Sequence, residues 1–215
     1  MADQENNNPN IPRTADEYIN IYRAAVAKNP ECGTSRYNLA IGLIGKQLYE
    51  EAEQQLYAAI ENSPSLAEAY VQLGGLCLAR GDLDGCQDWN QRAIKARAGF
   101  SEGYGNLGFV HMQKGEPEKA EWYLKKAIAY NAHFIQAFVT LATAYYAQGL
   151  VDESIAACEK ALSLDETFAV AHNNLAIAYV DKGDYEKAIK HADLAREYGF
   201  DVPEGLMKDL EPHRK

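Results

Sequence analysis

The stretch AEAYVQLGGLCLARGDLDGCQDWNQRAIKARAGF, residues 67–100, runs directly into SEGYGNLGFVHMQKGEPEKAEWYLKKAIAYNAHF, residues 101–134, and the two align position for position. Tyr70 stands over Tyr104, Leu73-Gly74 over Leu107-Gly108, Gly81 over Gly115, and Ala93-Ile94 over Ala127-Ile128. The same step of 34 residues extends in both directions. Leucine returns at Leu39, Leu73, Leu107, Leu141 and Leu175, each followed by a small residue (Ala40, Gly74, Gly108, Ala142, Ala176). Twenty residues after each leucine comes an alanine: Ala59, Ala93, Ala127, Ala161 and Ala195. A fixed period of this length predicts stacked copies of one supersecondary unit, not a core built around a single centre.

Within each block the apolar and small residues fall at helical spacing in two runs. Gly81, Gly115, Gly149 and Gly183 mark the turn between them, and the first block carries Gln47 there. Each block therefore reads as a helical hairpin. Small residues let its helices approach closely, with Ala40 and its equivalents facing Ala52, Cys86, Ala120, Ser154 and Ala188. Larger side chains there would overpack the hairpin by roughly 1–3 kcal/mol. Tyr70, Tyr104 and Phe138 open the first helices, where His172 and Arg36 depart from the pattern. Ile60, Ile94, Ile128 and Leu162 close the blocks, and Arg196 in the fifth signals the end of the stack.

These residues resemble the tetratricopeptide repeat over residues 33–202. The resemblance implies an all-α fold: a right-handed α-solenoid of 34-residue helix-turn-helix repeats, at 33–66, 67–100, 101–134, 135–168 and 169–202. Pro64 fills the family's proline site between repeats, whereas Ala98, Ala132 and Glu166 replace it elsewhere. At the N-terminal end, Thr14 to Glu17 form a capping box opening a helix. Tyr22, Ala25 and Pro30 match the second half of a repeat, so residues 13–32 are expected to be a capping half-repeat. Residues 203–215 are expected to form a C-terminal capping helix beginning at Pro203, with Leu206, Met207 and Leu210 against the fifth hairpin. Residues 1–12, with little to bury, read as a disordered tail.

The bulk numbers narrow the function classes. The net charge of −10 arises from mixed acids and bases with no basic stripe, which argues against nucleic acid. No apolar run is long enough to cross a bilayer, and the polar N-terminus lacks the pattern of a signal peptide. Four cysteines (Cys32, Cys77, Cys86, Cys158) show neither metal-ligand nor C-x-x-C spacing, so no metal or cofactor and a reducing cytoplasmic setting are expected. No catalytic set of Ser-His-Asp or Cys-His type follows the repeat geometry, so the chain reads as a non-enzyme. Gly103 to Gly108 matches a dinucleotide-binding string, but it lies inside a helix, where that chemistry fails.

In such stacks the first helices line a concave groove. One file of positions reads Asn38, Gln72, Asn106, Thr140, Asn174. Carboxamides offer donor and acceptor together and suit the backbone of an extended peptide. Tyr37, Ile41, Phe109, Met112, Tyr146 and Ile177 add apolar surface, and Glu68 and Glu102 add charge. The carboxylate-clamp class of the family needs basic residues at groove sites held here by Tyr37, Val71, Gly105, Val139 and Asn173, and again at Glu68 and Glu102. That specificity is therefore not expected. Gly105 predicts room for a bulky ligand side chain. The expectation is an adaptor or assembly factor that binds an extended, largely uncharged peptide segment of a protein partner. The alternative is a self-associating scaffold that uses the stack ends or an outer face marked by Trp89 and Trp122.

Overall fold

The computed structural model describes residues 14–214, so the tail expected at residues 1–12 lies outside the described residues. These residues fold into twelve α-helices and one 3₁₀ turn, with no strand among them. They divide into two compact units that meet in sequence between Ala98 and Gly99. The first unit holds α1 (Ala15–Lys28), α2 (Gly33–Gly45), α3 (Tyr49–Asn62), α4 (Ala67–Ala79) and α5 (Leu83–Ala96). The second holds α6 (Ser101–Gln113), α7 (Pro117–Tyr130), α8 (Ile135–Ala147), α9 (Val151–Leu162), α10 (Ala169–Asp181), α11 (Tyr185–Glu197) and α12 (Glu204–Leu210).

In each unit consecutive helices pack as antiparallel hairpins, and each hairpin stacks on the next. The periodic leucines and alanines form the interior. Leu43, Leu56 and Leu73 are buried in the first unit, and Leu107, Leu124 and Leu175 in the second. Each such leucine contributes about 1.5–3 kcal/mol relative to an exposed one. Ala40, Ala52, Ala120 and Ala188 are wholly buried, and Cys86 and Ser154 nearly so.

The intra-hairpin turns share one construction. After α2, the N–H of Gln47 donates to Ile44 O and that of Leu48 to Leu43 O, both at 2.9 Å. The equivalent pairs recur at Gly81-Asp82, Gly115-Glu116, Gly149-Leu150 and Gly183-Asp184. This is the Schellman termination, which needs a left-handed residue at its hinge. The four glycines adopt φ of 72–77° there, and Gln47 adopts 60°. Between hairpins, side-chain turns stand at two of the three sites that lack the proline. Asn131 Oδ1 accepts from the His133 N–H at 3.0 Å, and Asp165 Oδ1 from the Thr167 N–H at 2.9 Å. A carboxamide or carboxylate closing on the backbone two residues ahead fixes the turn as proline would.

A second periodic device joins hairpins. The residue just past four of the first helices reaches the second helix that precedes it: Lys46 to Asp16, Arg80 to Glu53, Gln148 to Glu121, and Lys182 to Asp152. These exposed links are worth about 0.2–1 kcal/mol each. At the ends, Thr14 Oγ1 accepts from the Glu17 N–H at 3.1 Å, opening α1. At the C-terminal end Pro203 caps α12 rather than entering it, and Pro212 sits in the 3₁₀ turn Glu211–His213. Leu210 is wholly buried there, with Leu206 and Met207 packed on the same cluster.

Candidate functional site

The residues singled out for a groove all lie on first helices, and each unit carries its own row. In the first unit Tyr37, Asn38 and Ile41 on α2, with Glu68 and Gln72 on α4, are half-buried. Tyr37 hydrogen-bonds Gln72, and its hydroxyl pKa is raised by burial and then by the Glu68 charge. Glu68 does not stand as open charge, as its sequence position suggested. Arg97, in the segment after α5, returns to it at 2.7 Å, and the remaining carboxylate oxygen is buried without a hydrogen-bond partner. The pair leaves this row close to neutral.

In the second unit the row consists of Glu102, Asn106, Phe109 and Met112 on α6, Thr140 and Tyr146 on α8, and Asn174 and Ile177 on α10. Two depressions open along it. One, of about 140 Å³ between α6 and α8, is lined by Gly105, Asn106, Phe109, Phe134, Gln136, Ala137 and Thr140. The other, of about 90 Å³ between α8 and α10, is lined by Thr143, Tyr146, Ser154, Asn174 and Ile177. Phe109 is 38% exposed beside the first. Met112 instead packs with Tyr104 and Tyr145 against the cluster around Leu124 and Leu141.

Hydrogen bonds already fix part of this surface. Asn174 Nδ2 donates to Thr143 Oγ1 at 3.3 Å, and that hydroxyl donates in turn to Val139 O at 3.1 Å. Thr140 Oγ1 donates to Gln136 O at 2.8 Å, which leaves its oxygen as an acceptor toward the depression. The Tyr146 hydroxyl donates to Asp181 Oδ2 at 2.7 Å, and this bond, with burial, pushes the phenol up to about 12. Ser101 Oγ donates to Glu102 at 2.9 Å. The room expected at Gly105 is filled by this chain: a β-carbon there would lie 2.7 Å from the Phe134 ring. Phe134 caps α8 from the loop, so the glycine serves internal packing, and the open space lies beside Asn106 and Phe109.

Thr143 and Ser154 are lining residues that the sequence reading missed. Thr143 occupies the repeat position of Ile41, Phe109 and Ile177, so the period could have found it. Ser154, 1% exposed, replaces the small residues of its siblings at the floor of the depression. Also missed was the histidine pair His172 and His191, whose Nδ1 atoms lie 2.9 Å apart. The same two repeat positions join Arg36 to Gln55, Tyr70 to Trp89 and Tyr104 to Tyr123. His172 Nε2 faces Glu166 O at 3.0 Å, so that nitrogen carries the hydrogen and Nδ1 accepts from His191. Burial first, then electrostatic coupling to His172 and the charges of Lys190 and Lys187, hold His191 down at about 4.

Outside these rows, Trp89 is packed against Tyr57 and Tyr70 with Arg92 over its ring, and is not the exposed marker its position suggested. Trp122 is 54% exposed. Cys32, Cys77, Cys86 and Cys158 are all free thiols. Among the described residues no cluster of three or more His, Cys, Asp or Glu is arranged to hold a metal, and no helix is long and apolar enough to cross a membrane.

The hairpins, their hinges and their small-residue contacts define a class of stacked helical-repeat proteins, and comparison identifies which one. The chain belongs to the tetratricopeptide-repeat family, which matches at residues 19–67, 101–134 and 142–183. The fold is accordingly an all-α solenoid of helix-turn-helix repeats. Among solved structures it is similar to YrrB, described as a TPR protein with an unusual peptide-binding site (23% identity, TM-score 0.67, 89% of this chain and 97% of that one). It is also similar to PilF of Pseudomonas aeruginosa (15% identity, TM-score 0.76, 93% and 97%). MamA is a third such structure (24% identity, TM-score 0.65, 79% and 92%). No curated protein matches the sequence.

Proposed function

We propose that this chain is a non-enzymatic adaptor or assembly factor that binds an extended, largely uncharged peptide segment of a protein partner along its first-helix faces. The observation that carries this reading is the pair of depressions in the second unit. They are lined by Asn106, Thr140 and Asn174 from the carboxamide file and by Phe109, Tyr146 and Ile177 from the apolar set. Carboxamides and hydroxyls beside apolar hollows suit a peptide, whose backbone offers regular polar groups and whose side chains need pockets. That YrrB is a TPR protein with an unusual peptide-binding site is in keeping with this use of the fold. Four free thiols accord with a reducing, cytoplasmic setting.

The test is a capture experiment from native lysate with the wild type and the Asn38→Ala/Asn106→Ala/Asn174→Ala protein side by side. A partner retained by the wild type and lost by the triple variant, with an unchanged helical melt, supports the reading. Equal retention by both removes the carboxamide file from the site.

A further inference from the structure

We infer that the second unit binds an extended segment with apolar side chains four residues apart, flanked on the same face by basic residues. The inference rests on the peptide-binding reading above and adds the spacing and charge of the occupant. It follows from the diagonal order of features across α6, α8 and α10, which neighbour one another and run in the same direction.

The diagonal starts at Glu102 near the beginning of α6, passes the hollow beside Asn106 and Thr140, then the hollow beside Thr143 and Asn174, and ends at Asp181, the last residue of α10. Thr140 and Tyr146, one on each hollow, are separated by about 9 Å along α8. The hollows are offset sideways by about one helix spacing of 8–10 Å. Their separation is therefore about 12–13 Å, or four residues of extended chain at ~3.3 Å each. Four is an even step, so both side chains point to the same face of a strand and can enter both hollows together. At about 140 and 90 Å³ the hollows suit side chains of leucine or valine size.

Charge sets the flanks. The groove-facing positions of α6, α8 and α10 contain two acids, Glu102 and Asp181, and no Lys or Arg. Both carboxylates are exposed and held in place, Glu102 by the Ser101 hydroxyl and Asp181 by the Tyr146 hydroxyl. They are about 23–26 Å apart on the same helix geometry, close to eight strand steps. Basic residues two positions outside each apolar anchor meet them.

The probe is a fluorescein-labelled nonapeptide with arginine at both ends, leucine at its third and seventh positions, and serine or threonine elsewhere. Binding to the full chain is read by anisotropy at low salt. The expected result is saturable binding that weakens at least ten-fold when the second leucine is moved to the sixth position, which turns it to the other face. Glu102→Gln and Asp181→Asn each weaken it two- to five-fold, an effect that fades with salt. Both are surface changes, and an unchanged melt accompanies them. Absence of saturation, equal affinity for the two leucine spacings, or indifference to both carboxylate variants overturns the inference. Failure of the nonapeptide while the triple alanine variant still loses a captured partner leaves the adaptor reading standing and removes this spacing. Tight, spacing-dependent binding that survives the triple variant removes the carboxamide file and keeps the hollows.

Discussion

Replacing Gln47 with glycine should stabilise the first unit, although it deletes a side chain. Gln47 is the one non-glycine residue with positive φ among the described residues, at 60°. It occupies the hinge that glycine fills in the four later turns with the same two hydrogen bonds. A left-handed conformation costs a residue with a β-carbon roughly 1–2 kcal/mol. Glycine avoids that cost but loses about 0.5–1 kcal/mol more chain entropy on folding. The Gln47 side chain is exposed, so little packing is lost. The net gain for Gln47→Gly is about 0.5–1 kcal/mol. A repeat array need not melt as one unit, so the direct assay is amide hydrogen exchange at Leu43–Leu48 with denaturant titration beside it. Slower exchange there, with unchanged protection in α10 and α11, is the expected result. Gln47→Ala should give no gain, because alanine keeps the β-carbon, and Gly81→Ala should lose about 1 kcal/mol. If Gln47→Gly and Gln47→Ala behave alike, the hinge is unstrained and the argument fails.

Gly74 and Gly75 should respond in opposite directions. A β-carbon on Gly74 would lie 2.5 Å from Asn90 Nδ2, whereas nothing lies within 4 Å of one on Gly75. Gly74→Ala should destabilise by about 1–3 kcal/mol and Gly75→Ala should stabilise by up to ~1 kcal/mol in urea titrations. His191 should make stability depend on pH. Its folded pKa is lowered from 6.5 to about 4, so between these values the unfolded chain binds the extra proton. The contribution is complete above pH 6.5 and is lost as pH falls towards 4. Half-burial and solvent screening reduce it to about 1–2 kcal/mol. The stability of the wild type relative to His191→Gln should therefore fall by that amount between pH 6.5 and 4, and a constant difference between them from pH 7 to 4 would refute the assignment. Thiol labelling should be ordered. Cys32 is half-exposed and its pKa is lowered by the Ser35 hydroxyl, while burial raises Cys158 to about 12. Iodoacetamide should modify Cys32 first and Cys158 last, as read by peptide mass spectrometry.

Much of the fold was legible because its determinants are local and repeated. Leucine followed by a small residue, an alanine twenty residues on and a glycine hinge fix the hairpin from contacts within 34 residues, and five copies reinforce the reading. Even the departures carried meaning: Gln47 at a glycine site is strained backbone, and Ser154 at an alanine site is the polar floor of a hollow. The candidate groove was legible only as a set of positions. The period places Asn106, Thr140 and Asn174 on first helices, but it cannot show whether their polar groups are already engaged.

Sequence alone determined the all-α repeat architecture, the small-residue contacts inside each hairpin, the hinge sites and the positions that face outward from the first helices. It could do so because helical periodicity and repeat length are properties of consecutive residues. Tertiary structure decided how the surface is used. Arg97 closes on Glu68, Phe134 fills the space at Gly105, Tyr146 holds Asp181, and His172 meets His191. It also placed the division of the chain between Ala98 and Gly99. Each of these contacts depends on the reach and rotamer of long side chains across 19 to 35 residues of sequence. No repeating pattern encodes them, because the partners belong to single copies of the repeat, and only packing brings them together.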